Sequence, residues 1–308
     1  MKGEAEKPTT GAVVDLGGGV RRILAPNPGA MTHWGTNTYL LGTDPVVVVD
    51  PGPDSAAHKS AILAAVGTAQ VLAVAVTHAH LDHSALAPAL ARDLGAPVMG
   101  FGPAVAGRSD RMQRLSKTVD LGGGEGVDHG FDPDVTLADG DVLSVGGARV
   151  TALHTPGHFA GHLSFCLNDV VLTGDVVMGW STTLISPPDG DLRAFLQSAG
   201  RLRALGARRF LPGHGGPVDH PTGRLDGLIA HRFERARQVL GALDRGAARP
   251  AQVARLVYRD LDPALLPAAT RNVLAHLLDL WDRGHARPGD GPLATALWSK
   301  HAKTRKCK

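Results

Sequence analysis

The chain has 308 residues, 43% of them hydrophobic, and a formal net charge of +3. Such a chain can bury one large core and leaves room for a small second domain, as globular proteins do. The first residues, MKGEAEKPTT, lack the apolar core of a secretory signal, and no apolar run approaches the ~20 residues that cross a bilayer. These features exclude a membrane-spanning class, and we expect a cytoplasmic protein without a membrane partner.

The positive charge is concentrated in the last nine residues, where five basic side chains occur without an acidic one: Lys300, Lys303, Arg305, Lys306 and Lys308. Removing these five charges from the net +3 leaves −2 for the rest of the chain. We therefore predict a solvated basic tail over 300–308, in preference to an arm that binds nucleic acid. Cys166 and Cys307 lie far apart and outside any CxxC spacing, which argues against a disulfide framework or a thiolate metal site.

Short apolar runs bounded by Gly, Pro and Asp predict strands in the first two thirds of the chain, at 46–49, 71–76, 142–145, 150–153, 163–167 and 170–172. Ala- and Leu-rich stretches with helical spacing lie between several of them, at 55–66, 84–94 and 192–205. Strands with interleaved helices indicate layered α/β packing. The pair Gly146 and Gly147 predicts a hairpin turn, so a purely parallel, doubly wound sheet is disfavoured.

After residue 220 the pattern becomes helical, with predicted helices over 221–243, 250–258 and 268–284 and a short strand near 285–287. This change predicts a first domain over 1–220, a helical domain over 221–299 and the tail over 300–308. The segment 102–134, with a Gly-rich run at 122–126, has little periodicity. It predicts a surface loop or short helix, with a lid over a site as the alternative.

The densest group of chemically active side chains follows the predicted strand 71–76. Residues 78–83 read HAHLDH, and three histidines with one aspartate in six positions are difficult to explain by packing. Side chains alternate along an extended segment, so His78 and His80 point to the same side and can bind one cation. Asp82 and His83, in the turn into the next helix, can then reach a second cation at the ~3.5–4 Å spacing of two-metal sites.

Three further segments place such a side chain just after a predicted strand, namely His158 in TPGH, Asp175 in GD and His214 in PGHG. Neutral imidazole and carboxylate are ligands that zinc accepts, so we expect two divalent ions of the zinc type. The ligand sets are His78, His80 and His158 for one ion, Asp82, His83 and His214 for the other, and Asp175 as the bridge.

A water shared by two such ions has its pKa lowered towards neutrality and becomes a hydroxide nucleophile, which Asp82 is placed to orient. Hydrolysis is therefore the reaction that the pattern predicts, although a bound iron would serve redox chemistry with overlapping ligands. His154 and His162 flank the predicted ligands. We expect them to act as hydrogen-bonding neighbours or ordinary polar residues, and not as ligands.

The motifs HAHLDH, TPGH, GD and PGHG resemble, in their order and separations, those of the metallo-β-lactamase superfamily, over about residues 20–220. The resemblance implies an α/β fold, a four-layered αββα sandwich with the metals at one edge. It also implies the same seven ligands and a catalytic role for the first domain.

A closer resemblance, to the β-lactamase-like protein 2 family, lies in NPGAMTHWGTNTYLLG at 27–42 and in the helical region that starts HRFERARQVL. It implies a C-terminal domain similar to a winged helix. The studied eukaryotic member of that family is an endoribonuclease specific for single strands. Thr182 and Thr183, after the GD motif, match the family's pattern, whereas the long 102–134 segment and the residues His33 and Trp34 depart from it.

Three functions compete. Cleavage of single-stranded RNA is predicted first, with phosphate contacts from the helical region: Arg232, Arg235, Arg237 and Arg271. The slightly acidic body and the aromatic content of 4% count against it. The second is hydrolysis of a small ester, thioester, lactone or β-lactam, whose apolar acyl group lies in a pocket lined by Trp34, Phe101 and Trp180. The third, a non-enzymatic binding module, is disfavoured by the complete ligand set.

The expected substrate contacts follow from these readings: Trp34, Asn37, Thr38, Trp180, Thr182 and Thr183. For Asn37 and Thr38, near a strand start, capping of a turn is an equal alternative. The expected partner is the substrate, either single-stranded RNA or a small acyl compound. A homodimer is compatible with the sequence. The group that would protonate the leaving group is not indicated by any motif.

Overall fold

The structure is a computed structural model that describes residues 7–301. One sheet contains, in spatial order, β1 (Val13–Asp15), β2 (Val20–Leu24), β3 (Asn37–Leu41), β4 (Val46–Val49), β5 (Val71–Ala75), β6 (Val98–Gly100) and β7 (Val135–Thr136). The second contains β8 (Val142–Val145), β9 (Ala148–His154), β10 (Leu163–Leu167), β11 (Val170–Gly174) and β12 (Arg209–Pro212), in the spatial order β12-β11-β10-β9-β8. Both sheets mix parallel and antiparallel pairs.

The helices of this part of the chain are α1 (Ala56–Val66), α2 (Leu81–Ser84), α3 (Ala87–Leu94), α4 (Asp110–Thr118), α5 (Leu192–Ala204) and α6 (Pro221–Leu243). Helices α1, α3, α5 and the start of α6 cover the outer faces of the two sheets, whereas α4 packs on the C-terminal helices. In β4, Val46 and Val48 pack against α1 and α3, whereas Val47 and Val49 pack against the second sheet. Because side chains alternate along a strand, one apolar strand supplies two layers of core. With α5 and the start of α6 on the second sheet, the result is the predicted αββα sandwich.

The predicted strands and helices of the first two thirds are found with small shifts at their ends. The 142–145 strand and the 163–167 strand match β8 and β10, and β8 joins β9 through the predicted turn. Gly146 and Gly147 have φ of 55° and 84°, the left-handed values that a two-residue hairpin turn requires. The 84–94 helix is divided in the structure into α2 and α3.

The helical region begins with α6 and continues with α7 (Pro250–Val257), a 3-10 turn (Pro263–Leu265), α8 (Leu266–Asp282) and a ribbon of β13 (Ala286–Pro288) and β14 (Trp298–Lys300). Helix α6 belongs to two cores, since Leu225 and Leu228 pack under the second sheet while Val239 packs against α7 and α8. No helix in the described part of the chain is long and apolar enough to span a bilayer. Residues 302–308, which include Cys307 and most of the predicted tail, lie outside the described residues.

The 102–134 segment contains the predicted short helix, α4, and it packs on the helical region. Met112 and Leu121 are 3% exposed and lie in the same apolar cluster as α7 and α8. The segment then returns to the sandwich, where Val127 forms an isolated β-bridge with His80. It therefore connects the helical region to the strand ends that carry the HAHLDH motif.

Candidate metal centre

The seven predicted ligands converge at one edge of the sandwich. Strands β4 and β5 run parallel in the first sheet, and β11 and β12 run parallel in the second, so their carboxyl ends meet at a common edge. HAHLDH follows β5, the TPGH and GD motifs follow β9 and β11, and PGHG overlaps the end of β12. Residues separated by more than 130 positions in the chain are thereby brought within bonding distance, as shown by His83 Nε2 and His214 Nε2, which lie 3.3 Å apart.

Three imidazoles form one ligand group. The Nδ1 atom of His80 lies 2.9 Å from Nε2 of His78 and 3.1 Å from Nε2 of His158. Four zinc ligands at ~2.0–2.1 Å in a tetrahedron are about 3.3 Å apart, so these nitrogens have the spacing of one coordination sphere. His78 and His158 are buried and His80 is half-buried, which leaves the group open on one side.

A second group is formed by Asp82, His83 and His214. Oδ2 of Asp82 lies 3.2 Å from Nε2 of His214 and 3.5 Å from Nε2 of His83. Asp175 lies between the two groups, with Oδ2 at 3.3 Å from Nε2 of His214 and 3.8 Å from Nε2 of His158. Its Oδ1 is buried and has no hydrogen-bond donor among the described residues. A buried carboxylate with a free oxygen between two imidazole groups has the geometry of a bridging ligand.

The ring nitrogens that face away from the centre are bonded to oxygen atoms. Nδ1 of His158 donates to the Leu184 carbonyl at 2.7 Å, and Nδ1 of His214 donates to the Gly35 carbonyl at 3.1 Å. A carbonyl can only accept, so each of these rings carries a proton on Nδ1, and the neutral ring has its Nε2 lone pair directed to the centre for a metal ion. Bare nitrogens that face one another at such distances fit a cation between them, so these residues fit divalent metal ions.

Asp50 supports this arrangement and was not predicted from the sequence. It follows β4 directly, is 1% exposed, and accepts a hydrogen bond from Nδ1 of His83 at 2.9 Å. Its two oxygens also accept from the backbone N–H and the hydroxyl of Thr77. The Thr77 hydroxyl in turn accepts from Nδ1 of His78 at 3.0 Å. An acidic residue at the end of an apolar strand, in VVVVD, is the sequence signal that could have identified it.

The two halves of the centre differ in electrostatic character. Burial, reinforced by neighbouring imidazoles, lowers the pKa of His78 well below its usual value and that of His80 to about 3. Burial also opposes protonation of His83, but the carboxylates of Asp82, Asp50 and Asp175 outweigh it and raise the pKa of His83 to about 9. Asp175 and Asp82 likewise raise the pKa of His214 well above its usual value. The carboxylate-rich half therefore holds positive charge, which a dication would supply in place of protons.

The two flanking histidines differ in their relation to the centre. His162 is fully buried, and its Nε2 accepts a hydrogen bond from the backbone N–H of Asp175 at 3.2 Å, which fixes the backbone that carries this predicted ligand. His154 donates to the Ala160 carbonyl and stacks on Phe101 at 4.2 Å. Neither belongs to the groups of potential ligands among the described residues.

The predicted substrate contacts fall into two sets. Asn37, Thr38 and Thr183 are fully buried, and their side chains bond to carbonyls of Pro212, Asp50 and Val176 respectively. Burial of this kind favours a structural role for all three side chains, and contact with substrate stays a prediction for them. Trp34, Trp180 and Thr182 are half-exposed and remain accessible.

Trp34 and Trp180 lie beside the second ligand group. The His33 ring stacks on both indoles, with centroids 4.7 Å from Trp34 and 4.6 Å from Trp180. Trp180 and His33 also border Gly215, the residue after His214, where a Cβ atom would lie 2.7 Å from the indole. His33 has a φ of 55°, an unusual value for a residue other than glycine, and such strain is concentrated at functional sites.

Comparison with known proteins agrees with this geometry. Residues 31–214 match the family model described as the metallo-beta-lactamase superfamily. The chain belongs to the metallo-beta-lactamase superfamily. Residues 250–294 match the beta-lactamase associated winged helix domain, which corresponds to α7, α8 and the first strand of the ribbon. Because members of the superfamily are hydrolytic metalloenzymes, the chain is a hydrolase, and both predicted resemblances are confirmed.

Relatives of this superfamily cover most of the chain. A beta-lactamase-like protein 2 homolog of Drosophila melanogaster is 31% identical over 90% of this chain and 92% of its own length. An atrochrysone carboxyl ACP thioesterase of Aspergillus fumigatus is 34% identical over 73% of this chain and 64% of its own length. A metallo-beta-lactamase family protein of Thermus thermophilus superposes with a TM-score of 0.74 at 28% identity, covering 93% of this chain and 100% of the other.

Proposed function

We propose that this hydrolase cleaves a small acyl ester or thioester at a centre of two divalent metal ions, with zinc as the native metal. Two such ions would polarise the acyl carbonyl and lower the pKa of a shared water. The chain's own part is to hold seven ligands in fixed orientations and to supply the surface on which the acyl group lies. The observation that carries this choice is the apolar mouth of the centre.

Exposed apolar side chains are adjacent in sequence to the ligands and to the aromatic stack. Leu81, between two predicted ligands, is 48% exposed, and Met31, just before the aromatic stack, is 47% exposed. Trp34 and Trp180 extend this surface beside His214. An acyl chain gains free energy from such a surface, whereas a phosphodiester backbone requires cationic groups there.

The arginines that the sequence assigns to RNA are engaged in other contacts. Arg232 and Arg271 bind backbone carbonyls of residues 121–187, and Arg235 binds the Val257 carbonyl and lies over the Tyr258 ring. Arg237 pairs with Glu234 at 2.6 Å. Support for RNA cleavage is weaker for this reason, and it becomes the alternative function. The Aspergillus relative is named a thioesterase, which supports an acyl substrate.

The deciding assay compares substrates in one preparation of zinc-loaded protein. Acyl-pantetheine thioesters of increasing chain length, aryl esters and a chromogenic β-lactam are tested beside labelled single-stranded RNA, with His80→Ala as the inactive control. We expect zinc-dependent turnover of thioesters or esters and intact RNA. Zinc-dependent RNA cleavage without ester or thioester turnover would overturn the proposal and restore the alternative.

A further inference from the structure

Side chains of α6 and α8 bind the loop that follows β11. They form hydrogen bonds with backbone groups and one hydroxyl between positions 178 and 187. The four side chains are Arg224, Arg232, Arg271 and Asn272. Arg232 donates to the Thr183 carbonyl, while Oδ1 of Asn272 accepts from the Ile185 backbone N–H at 3.0 Å. Both residues that flank Leu184 are thus attached to the helical region.

Leu184 is the residue that orients a predicted ligand. Its carbonyl accepts from Nδ1 of His158 at 2.7 Å, the shortest of the bonds that fix the outward ring nitrogens of these histidines. A ring held at Nδ1 has its Nε2 directed to one point, here 3.1 Å from Nδ1 of His80. Displacement of the Leu184 carbonyl would therefore turn the His158 ring away from its group.

The helical region also reaches His80 by a second path. Arg271 binds the carbonyls of both Pro187 and Leu121, so it connects the 178–187 loop to the 121–128 segment. That segment bonds to both sides of His80: the Leu81 N–H donates to the Gly126 carbonyl, and the Asp128 N–H donates to the Ala79 carbonyl, each at 2.9 Å. Two of the three imidazoles in the first ligand group are thus supported from α6 and α8.

The second ligand group has a different support. His83 is bonded to Asp50, at the end of β4, and His214 is bonded to the Gly35 carbonyl, in the loop before β3. Thr36, in the same loop, lies 3.4 Å from Oδ2 of Asp82 through its hydroxyl. All three contacts are made within the sandwich.

The buried position of the Arg232 guanidinium is not explained by a contribution to folding stability. The side chain is 2% exposed, and within residues 7–301 no carboxylate forms an ion pair with it. Burial of a guanidinium without a carboxylate partner opposes folding, because carbonyl dipoles replace its hydration only in part. Its contacts are instead the Thr183 carbonyl, Asn272 and the Phe195 ring.

We propose that Arg232 and Asn272 are positioning residues for the three-histidine metal site, and that the helical region thereby controls the occupancy of one of the two metal sites. The inference uses the metal centre of the proposed function but is independent of its substrate. The helical region then orients metal ligands. Arg232, which the sequence predicted to contact RNA, takes part in this orientation.

Zinc binding to the full chain tests this without an activity assay. Arg232→Met and Asn272→Leu are titrated with zinc against a competing chelator, beside the wild type and the control Arg235→Met. Arg235 lies one turn further along α6 and binds the Val257 carbonyl, away from the loop. We expect one of two zinc ions to bind roughly 10–100-fold more weakly in both variants, as for other residues that orient metal ligands. The other ion and the control should match the wild type.

The result that overturns the proposal is an unchanged isotherm, or equal weakening of both ions. If Arg232→Met does not fold, Asn272→Leu and Arg232→Lys decide by the same titration, and Lys should restore part of the affinity. Imidazole nitrogen NMR of the folded variants gives a second readout: the His158 Nδ1–H signal should lose its hydrogen-bonded shift, and an unaltered signal counts against the proposal. A wild type that binds no zinc would overturn the proposed function itself.

Discussion

The Asp50 carboxylate accepts a hydrogen bond from Nδ1 of His83 at 2.9 Å, and both side chains are buried. The same carboxylate receives the backbone N–H of Thr77 at 2.7 Å, so it joins the end of β4 to the end of β5 at the position where HAHLDH begins. A carboxylate behind a ligand imidazole fixes its tautomer and increases its basicity. Asp50 thus sets both the direction and the donor strength of His83.

Replacing that carboxylate should weaken the metal centre without removing a ligand. The Asp50→Asn amide has the size of the carboxylate but only one acceptor oxygen. It cannot accept all three hydrogen bonds that Asp50 receives from the Thr77 N–H, the Thr77 hydroxyl and Nδ1 of His83. We expect zinc affinity to fall roughly 10–100-fold, measured by competition with a chelator. Asp54→Asn, at an exposed position in the same loop, is the control. Equal affinities for the two variants would contradict the role assigned to Asp50.

The metal-free protein should be most stable near pH 6.5. Burial lowers the pKa of His80 to about 3, so below pH 6.5 the unfolded chain binds more protons and stability rises with pH. Carboxylates raise the pKa of His83 to about 9, so between pH 6.5 and about 9 the folded chain binds more protons and stability falls as pH rises. Melting temperatures of metal-free protein from pH 5 to 10 should pass through a maximum, and saturating zinc should remove the decline above it. A melting temperature that rises steadily from pH 5 to 10 would contradict the raised pKa of His83.

The convergence of the seven predicted ligands was predictable from the sequence, because each of them follows a strand end and each strand is a clear apolar run. Asp50 was missed since a single acid after a strand is common, and only the fold shows that β4 adjoins β5. The roles of Arg232 and Asn272 were equally hidden. Exposed arginines on a helix are the usual expectation, and burial of Arg232 depends on where α6 crosses the second sheet.

The N-terminal strands show why part of the fold was not predicted. Strand β2 reads VRRIL, and its two arginines interrupt the apolar pattern on which strand prediction depends. In the structure Arg22 is nonetheless 6% exposed, while Arg21 donates to the Ala65 and Gly42 carbonyls. Pairing with β3 over five residues, and not local sequence preference, holds this strand in place.

Loss of the carboxylate between the two ligand groups should affect both ions. Asp175 lies within 4 Å of His83, His158 and His214, which belong to different groups. We expect Asp175→Ala to bind less than one zinc per chain under conditions in which the wild type binds two, as measured by elemental analysis. Asp169→Ala, which removes an exposed partner of Arg208, should retain both ions. Retention of one tightly bound ion in Asp175→Ala would show that the carboxylate is not shared.

The aromatic mouth predicts a dependence on acyl length. Trp34 stacks on His33, which in turn stacks on Trp180, so Trp34→Ala shortens the apolar surface beside His214. For long-chain acyl substrates we expect a roughly tenfold rise in KM, equivalent to ~1.4 kcal/mol, with little change in kcat. Acetyl substrates should be unaffected because they do not reach the indole. A loss that is equal for acetyl and long-chain substrates would indicate general damage to the centre.

Gly213 provides the sharpest steric test of the centre. A Cβ atom at this position would lie 2.5 Å from Oδ1 of Asp175 and 2.8 Å from Cε1 of His83, and its backbone is outside the left-handed region. Gly213→Ala therefore adds no backbone strain but forces two predicted ligands to move, at about 1–3 kcal/mol of stability. We expect weaker binding of the ion between Asp82, His83 and His214, measured by zinc calorimetry. The control is Gly200→Ala in α5, where nothing lies within 4 Å and stability should rise by about 0.5–1 kcal/mol. If Gly213→Ala binds both ions as the wild type does, Asp175 and His83 are not held at the positions on which the proposed centre depends.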